Sequence, residues 1–232
     1  MAPKPSSRLV RTPVFRMSYA KLDEPKPFME NGKPKGPPVY SVEQLFDPAD
    51  LENFLVKRDG GWEECSYPRL LVELAKEEWG EDFNAAEATK HGGMKWPIQD
   101  GTQRAEDGKK RGKNWEAYRD KKAIRVKSAQ DYPPKLFVTD AGKYRELDRD
   151  DDKDRAIIRK RFQSGHFAKA NVTIKAVEVD GRKFLTHYVG AVLFWEEGEV
   201  IGGMDAEERF GGIEGGESFH DPTKGMDDEI PF

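Results

Sequence analysis

Residues 166–195 constrain the fold more than any other stretch, because two segments of regular polarity meet there at a tight turn. In His166–Val179 the apolar side chains Val172, Ile174 and Ala176 alternate with polar ones, which predicts a strand with one buried face. Asp180-Gly181 is a favoured hairpin turn, and a long apolar segment, Lys183–Trp195, follows it. The two segments predict a long antiparallel hairpin in a β-rich fold.

The remaining elements are shorter. Strands are predicted over Leu9–Leu22, Val39–Phe46, Ala123–Ala129, Lys135–Thr139 and, after a turn at Glu196–Glu199, Val200-Ile201. Lys26–Pro38 is rich in Pro and Gly, which predicts a loop. Helices are predicted over Pro48–Lys57, with Asp47 as its cap, and over Pro68–Trp79, where Leu70, Leu71, Leu74, Ala75 and Trp79 mark one apolar face.

Short strands, hairpins and long decorated loops favour a small Greek-key barrel. The predicted class is mainly β with a helical insertion (α+β), and an OB-fold-like barrel is the simplest such architecture. We expect a flexible basic arm over residues 1–8, one barrel domain over residues 9–204 with the insertion at about 47–80, and a flexible acidic tail over residues 205–232.

Charge is distributed unevenly along the chain. The net charge is −4, but residues 205–232 carry nine acids against two bases, a local charge of −7. The other 204 residues carry 34 acids and 37 bases, or +3. A mildly basic body with an acidic tail is typical of a nucleic-acid-binding protein, although a solubilising tail has the same charge.

Cations and aromatic residues alternate in Ala88–Tyr118, and single-stranded nucleic acid binds to such a combination through base stacking and phosphate contacts. Three further groups of cations follow, on a strand with one basic face, in the segment Ile157–Phe162 and on the long hairpin. The candidate DNA-binding residues are Trp96, Lys109, Lys110, Arg111, Lys113, Trp115, Tyr118, Arg125, Lys127, Arg159, Lys160, Arg161 and Lys169.

Signals for an enzyme are weak. The four histidines have no metal-ligand spacing, and Cys65 is the only cysteine, which excludes a Cys-based zinc motif. The acidic run Leu147–Arg155 is a candidate nuclease site, but its alternating charges favour a solvated loop or a helix start. We therefore expect no catalytic residue, no metal and no cofactor. We also expect no signal peptide, since residues 1–8 have no apolar core, and no apolar run is long enough to span a bilayer.

The chain ends in an acidic stalk, an apolar tip and a free carboxylate, which suit a partner with an apolar pocket and a basic rim. These candidate partner-binding residues are Asp227, Asp228, Glu229, Ile230, Pro231 and Phe232. The ending closely resembles the C-terminal tip of bacterial single-stranded DNA-binding proteins. The resemblance implies that the tip docks replication and repair enzymes.

A second resemblance spans roughly residues 9–213. Ser164–Val172, the strand ending over Val189–Gly203 and Phe210 resemble a family of tailed-phage single-stranded DNA-binding proteins. Arg16-Met17-Ser18-Tyr19, Tyr40-Ser41 and Asp100-Gly101 are similar to motifs of that family in the same order. The resemblance implies an OB-fold and a role in viral replication.

These observations predict a non-enzymatic protein that binds single-stranded DNA in the cytoplasm of an infected bacterium, during replication, recombination or repair. Its expected partners are the DNA and, through the tip, host or viral replication and repair enzymes, with no membrane and with an oligomeric state that stays open. A strand-annealing recombination protein is the alternative, and a metal-dependent nuclease using Asp148–Asp154 is a weaker one.

Overall fold

The computed structural model describes residues 5–30 and 33–201. The candidate partner-binding residues 227–232 and the acidic tail therefore lie outside the described residues. Ser7 and Arg8, which we expected in a flexible arm, belong to the first strand.

The described residues form one twelve-stranded sheet and four α-helices. The strands are β1 Ser7–Arg11, β2 Phe15–Glu30, β3 Lys33–Phe46, β4 Phe54–Arg58, β5 Gly61–Cys65, β6 Met94–Lys95, β7 Ile98–Asp100, β8 Lys122–Ala129, β9 Lys135–Asp140, β10 Lys143–Glu146, β11 Phe167–Val179 and β12 Arg182–Glu196. The helices are α1 Tyr67–Trp79, α2 Ala85–Lys90, α3 Gly101–Lys110 and α4 Asp152–Arg161, and short 3-10 turns cover Pro48–Glu52 and Glu116–Tyr118. None of these helices has the length and apolar character that crossing a bilayer requires.

Five of the strands close a ring in the order β2-β3-β8-β12-β11 and back to β2. All of its pairings are antiparallel except that of β8 with β12, where Lys127 pairs with Tyr188. Ring closure removes the exposed edges that an open sheet presents. The other strands extend the sheet outside the ring, β1, β4 and β5 from β11, and β9 and β10 from β12. The predicted mainly-β class with helical additions is confirmed.

The predicted hairpin is confirmed as the pair β11–β12. Val179 pairs with Arg182 across the turn, where Asp180 and Gly181 have φ angles of 50° and 73°. A two-residue turn of this kind needs positive φ at both positions, which Asp tolerates and Gly adopts without strain. Along β11 the side chains of Val172, Ile174 and Ala176 are buried, as their alternation predicts.

The core fills the ring and continues beneath α1. Leu70, Leu71 and Leu74 of α1 are buried, which confirms the predicted apolar face of this helix. Phe54 stacks on Tyr67 with ring centres 4.3 Å apart. Aromatic packing of this kind joins α1 to the strand hairpin β4–β5 and makes them one layer of the core.

One predicted strand and one predicted loop differ from the structure. The predicted strand Leu9–Leu22 is divided, because the Thr12 amide donates to the Ala170 carbonyl (2.9 Å) and Pro13 has no amide to donate. The prediction of a loop over Lys26–Pro38 is wrong. The two halves of this segment pair with each other as antiparallel strands, and Phe28 lies opposite Lys35. Proline-rich segments remain compatible with strands at positions that need no amide donor.

Two further predictions are wrong, and one segment contains elements that were not predicted. Pro48–Lys57 is a 3-10 turn followed by β4, because Val56 pairs with Val10 and buries its side chain in the sheet. The insertion at 47–80 therefore contains a hairpin as well as α1. The segment Ala88–Tyr118, for which no helix or strand was predicted, contains α3 and two short strands. Val200-Ile201 adds no strand, and the Ile201 amide donates instead to the Ser164 carbonyl (3.0 Å).

His187 is packed in the core of the protein. It is buried on the inner side of β12, and its Nε2 hydrogen-bonds to the hydroxyl of Tyr67. Burial lowers the pKa of the imidazole from 6.5 to about 4, because the charged form loses its hydration. The native state therefore keeps His187 neutral at pH values where the unfolded chain binds a proton.

This difference predicts how stability depends on pH. Above the unfolded pKa of 6.5 the imidazole is neutral in both states, and between 6.5 and about 4 only the unfolded chain is protonated. On acidification from pH 7 to pH 5 we expect His187 to remove about 2 kcal/mol of unfolding free energy. Urea titrations of the wild type and His187→Gln across this range measure the effect. Equal pH slopes for the two proteins would contradict it.

Candidate nucleic-acid interface

Strand register brings several basic and aromatic side chains to the outer side of the ring. Lys21 pairs with Ser41, Ser41 pairs with Lys127, and Lys127 pairs with Tyr188. Directly paired residues project to the same side of a sheet, so this row lies on one face. We call it, together with its exposed neighbours, the ring face: Lys21, Lys26, Phe28, Arg125, Lys127, Lys175 and Tyr188.

The cations of the ring face lie close enough to repel one another. Partial burial lowers the pKa of the Lys21 ammonium, and the positive charges of Arg125 and Lys26 lower it further. Within the described residues none of these three cations, nor Lys127, forms an ion pair with a carboxylate. A bound anion would relieve this repulsion, and a chain of phosphates would relieve it at several positions together.

Two aromatic rings are exposed beside these cations. Phe28 keeps 44% of its surface accessible, and the Arg125 guanidinium lies 5.4 Å from its ring centre. Tyr188 is 37% accessible, and the Lys175 ammonium lies 5.3 Å from its ring. An exposed ring next to a free cation offers a stacking surface for a base and a charge for the adjoining phosphate.

The basic cluster predicted at residues 109–113 lies at the end of α3. Lys109, Lys110, Arg111 and Lys113 are all exposed, and Lys110 approaches Asp107 at 3.5 Å. Ala105 of the same helix packs on Leu45 and Ala123, on the outer side of β3 and β8. The helix thus covers one end of these strands, and their other end carries the ring face.

A buried polar cluster holds α3 in place. The Arg104 guanidinium donates to the Glu43 carboxylate and to the Gln99 side-chain oxygen, each at 3.0 Å. The Tyr118 hydroxyl also donates to Glu43 and lies 2.8 Å from the Ser18 hydroxyl. Burial, followed by the nearby Glu43 charge, raises the pKa of Tyr118 well above its usual value. Tyr118 is only 2% accessible, so it has no free face for a base and is not a stacking residue.

The two predicted tryptophans are half-buried. Trp96 packs against the main core. Trp115 lies on Gly108, where an added Cβ would approach the indole to 2.6 Å, and its Nε1 donates to the Tyr19 hydroxyl (2.6 Å). Gly108 is therefore needed for the close approach of helix and ring. Both indoles anchor their segments, and Trp115 also borders the exposed Tyr19 ring.

The remaining predicted cations lie elsewhere on the surface. Arg159 approaches Glu24 at 3.5 Å, Lys160 is exposed, and the Arg161 guanidinium lies 5.0 Å from the Phe194 ring. These three residues end α4 and are separate from the ring face. Lys169 lies on the outer side of β11, with its ammonium 3.9 Å from the Trp195 ring centre.

The acidic run at residues 148–154 is used for local structure. The Asp151 side chain accepts the amides of Lys153 and Asp154 and caps α4. Asp154 accepts from Arg145 at 2.7 Å and from the Asp148 amide at 2.9 Å. In the described ranges no three His, Cys, Asp or Glu side chains come together as metal ligands would.

Sequence reasoning found Arg125 and Lys127 but missed the other five residues of the ring face. Lys26 and Phe28 were assigned to a loop, and Lys21 and Tyr188 were read only as parts of strands. The available signal was the alternation of Lys26 and Phe28 within the proline-rich segment. Their meeting with Arg125 depends on strand register, which sequence patterns do not supply.

Comparison with known proteins supports the architecture. No known protein family and no curated protein matches the chain. Among solved structures, the single-stranded DNA-binding protein from bacteriophage Enc34 in complex with ssDNA matches with a TM-score of 0.54 and 16% identity, over 87% of this chain and 97% of that chain. A C-terminal truncation of the same phage protein matches with a TM-score of 0.54 and 15% identity, over 87% and 95%. This chain and the Enc34 protein share a fold.

The polar cluster beneath α3 predicts a stability effect. Tyr118→Phe removes the hydroxyl that donates to the buried Glu43, and we expect a loss of about 1–3 kcal/mol of unfolding free energy. Urea denaturation measures the loss. Tyr132→Phe is the matched control, because Tyr132 is 76% accessible and its hydroxyl has no partner among the described residues. Equal stability of the two variants would show that the cluster does not hold the helix.

Proposed function

We propose that this chain is a single-stranded DNA-binding protein without catalytic activity, and that DNA lies across the ring face. The proposal rests on the exposed rings of Phe28 and Tyr188, which lie beside cations that have no carboxylate partner within residues 5–30 and 33–201. Such a surface follows a phosphate backbone and stacks bases without needing a particular base sequence.

We further propose that the ring is an OB-type barrel. In that fold the face of the second and third strands and the loops after the first and fourth strands bind oligonucleotides. Here β3 and β8 are the second and third ring strands, and Lys127 and Arg125 project from β8. The hairpins β2–β3 and β11–β12 take the places of the two loops, and they supply Phe28, Lys175 and Tyr188.

The shared fold agrees with this assignment, since the Enc34 protein was solved in complex with ssDNA. We extend the proposal to the tailed-phage family that the sequence resembles. The protein then coats and protects single strands during replication, recombination or repair of viral DNA in an infected bacterial cell. The acids considered for a nuclease instead cap α4 and pair with Arg145.

The acidic segment 205–232 has a proposed regulatory role. Its charge of −7 is opposite to that of the body, and a tethered segment stays at an effective concentration near millimolar. Even weak contacts with the ring face would then compete with DNA. Release of the segment on DNA binding would free residues 227–232 for replication and repair enzymes.

The DNA-binding proposal is tested by charge removal on the ring face. Arg125→Gln combined with Lys127→Gln should weaken binding to single-stranded oligonucleotides. It should also reduce the slope of log affinity against log salt by about 1.4, because each phosphate contact contributes about 0.7. Fluorescence anisotropy over a salt series measures both effects. Lys90→Gln combined with Lys153→Gln, at two exposed lysines on α2 and α4, removes the same charge and should leave the slope unchanged. If the double variant and the wild type have the same slope of log affinity against log salt, the proposal is wrong.

The regulatory role is tested by deletion. Removing residues 214–232 should tighten DNA binding, most strongly at low salt, because added salt screens the contacts of the acidic segment. Phe232→Ala is the control, since it removes no side-chain charge and should leave DNA affinity almost unchanged. Titrations at low and moderate salt compare the three proteins. If the deletion binds no tighter than the wild type at low salt, the acidic segment does not compete.

A further inference from the structure

A groove of about 430 Å³ opens on the outer side of the sheet, apart from the ring face. It crosses β11 and β12 and is bordered by β1 and β4 on one side and by β9 and β10 on the other. The residues that line it are Arg11, Thr12, Leu55, Phe137, Tyr144, Lys169, Ala170, Asn171, Ala191 and Leu193. The ring face contains none of these residues.

A β-bulge in β12 creates the floor of this groove. Val172 pairs with Val189, but the next residue back, Asn171, pairs with Ala191, so Gly190 is an extra residue. Leu185, His187 and Val189 point inward before the bulge, whereas Val192 and Phe194 point inward after it. The bulge therefore turns Ala191 and Leu193 outward, although a regular strand would have buried them. Glycine at the extra position is typical of such a bulge.

The walls of the groove are apolar and aromatic. Phe137 pairs with Leu193 across β9 and β12, and Tyr144 on β10 is 73% accessible. Small residues, Ala191 and Asn171, form the floor between them and β1. Flat rings above a floor of small side chains leave room for a planar group.

Two cations line the groove, one on β1 and one on β11, and each is held against a tryptophan. The Arg11 guanidinium lies 3.9 Å above the Trp62 ring, and the Lys169 ammonium lies 3.9 Å from the Trp195 ring. In the described part of the chain neither cation has a carboxylate partner, and no acid is among the residues lining the groove. Each cation is thus positioned by its ring and still has N–H donors free for an anion.

The groove and the ring face are joined along one strand. Tyr188 of the ring face and Leu193 of the groove both project outward from β12. Their partners on β11, Thr173 and Lys169, are four residues apart, so a rise of about 3.3 Å per residue separates them by about 13 Å. An extended polymer that leaves Tyr188 along β12 therefore enters the groove, which Arg11 and Lys169 line on the β11 and β1 side.

We infer that the groove is a second subsite for the same single strand, in which nucleobases stack on Tyr144 and Phe137 while Arg11 and Lys169 bind the flanking phosphates. The inference rests on the proposed function, because it takes single-stranded DNA as the ligand of the ring face. It adds that the footprint extends past the five-stranded ring onto β1, β9 and β10. Short oligonucleotides fill the ring face alone, and longer ones also occupy the groove.

Oligonucleotide length separates the two subsites. We would titrate the full chain with oligothymidylates of about 4 and about 16 nucleotides, the limits covered by one OB fold. Tyr144→Ala should weaken binding of the long oligonucleotide roughly 5- to 150-fold, the loss that one base stack implies. It should leave the short oligonucleotide unaffected. Tyr132→Ala, which removes an equally exposed tyrosine outside the groove, should change neither affinity. Both tyrosines are exposed, and equal melting temperatures would confirm that the two variants are folded.

The outcomes distinguish this inference from the proposed function. If Tyr144→Ala and Tyr132→Ala bind the long oligonucleotide equally well, the groove is not a DNA subsite. If Arg125→Gln with Lys127→Gln binds both lengths as tightly as the wild type, the proposed function itself is wrong. A synthetic peptide with the sequence of residues 221–232 tests another occupant. Binding of this peptide to the wild type but not to Tyr144→Ala, with DNA affinity the same in both, would assign the groove to an acidic peptide and overturn the inference.

Discussion

The pairing of β11 with β12 is the interaction on which the rest of the structure depends. It runs from the Asp180-Gly181 turn to Phe167 and Glu196, and it provides two edges to which other elements attach. β2 and β1 pair along β11, and β8 and β9 pair along β12. Without this hairpin the ring has no closing strands, and the outer strands that border the groove have nothing to extend.

The bulge at Gly190 shows how one residue divides this hairpin into two halves with different outer surfaces. Before it, the outward side of β12 carries Tyr188 beside Lys127 of the ring face. After it, the outward side carries the apolar floor of the groove. A strand without the extra residue would place Leu193 inside and Val192 outside, because side chains alternate along a strand. Both surfaces therefore depend on a local irregularity that also keeps the core continuous.

The charged side chains of this protein have two kinds of surroundings. Beneath α3 the charges of Arg104 and Glu43 are paired and further satisfied by Gln99 and Tyr118, as buried charges must be. On the ring face and at the groove the cations instead lie beside aromatic rings and lack carboxylate partners among the described residues. The first arrangement fixes a helix in place. The second leaves positive charge available to an anionic polymer.

The amino-acid sequence by itself determined the elements that depend on local patterns. The alternation around Val172 and Ile174, the Asp-Gly turn and the apolar face of α1 follow from side-chain periodicity and backbone preference, and each is present as predicted. The alternation in β8 also placed Arg125 and Lys127 together on one basic face of a strand. Tertiary structure decided what depends on register and on pairing between distant segments. It paired Lys26–Pro38 as a hairpin, buried Tyr118 against Glu43, and brought Phe28 to Arg125 and Arg11 to Trp62. Local sequence does not encode these contacts, because a shift of one residue in strand register would move every side chain of the strand to the opposite face of the sheet.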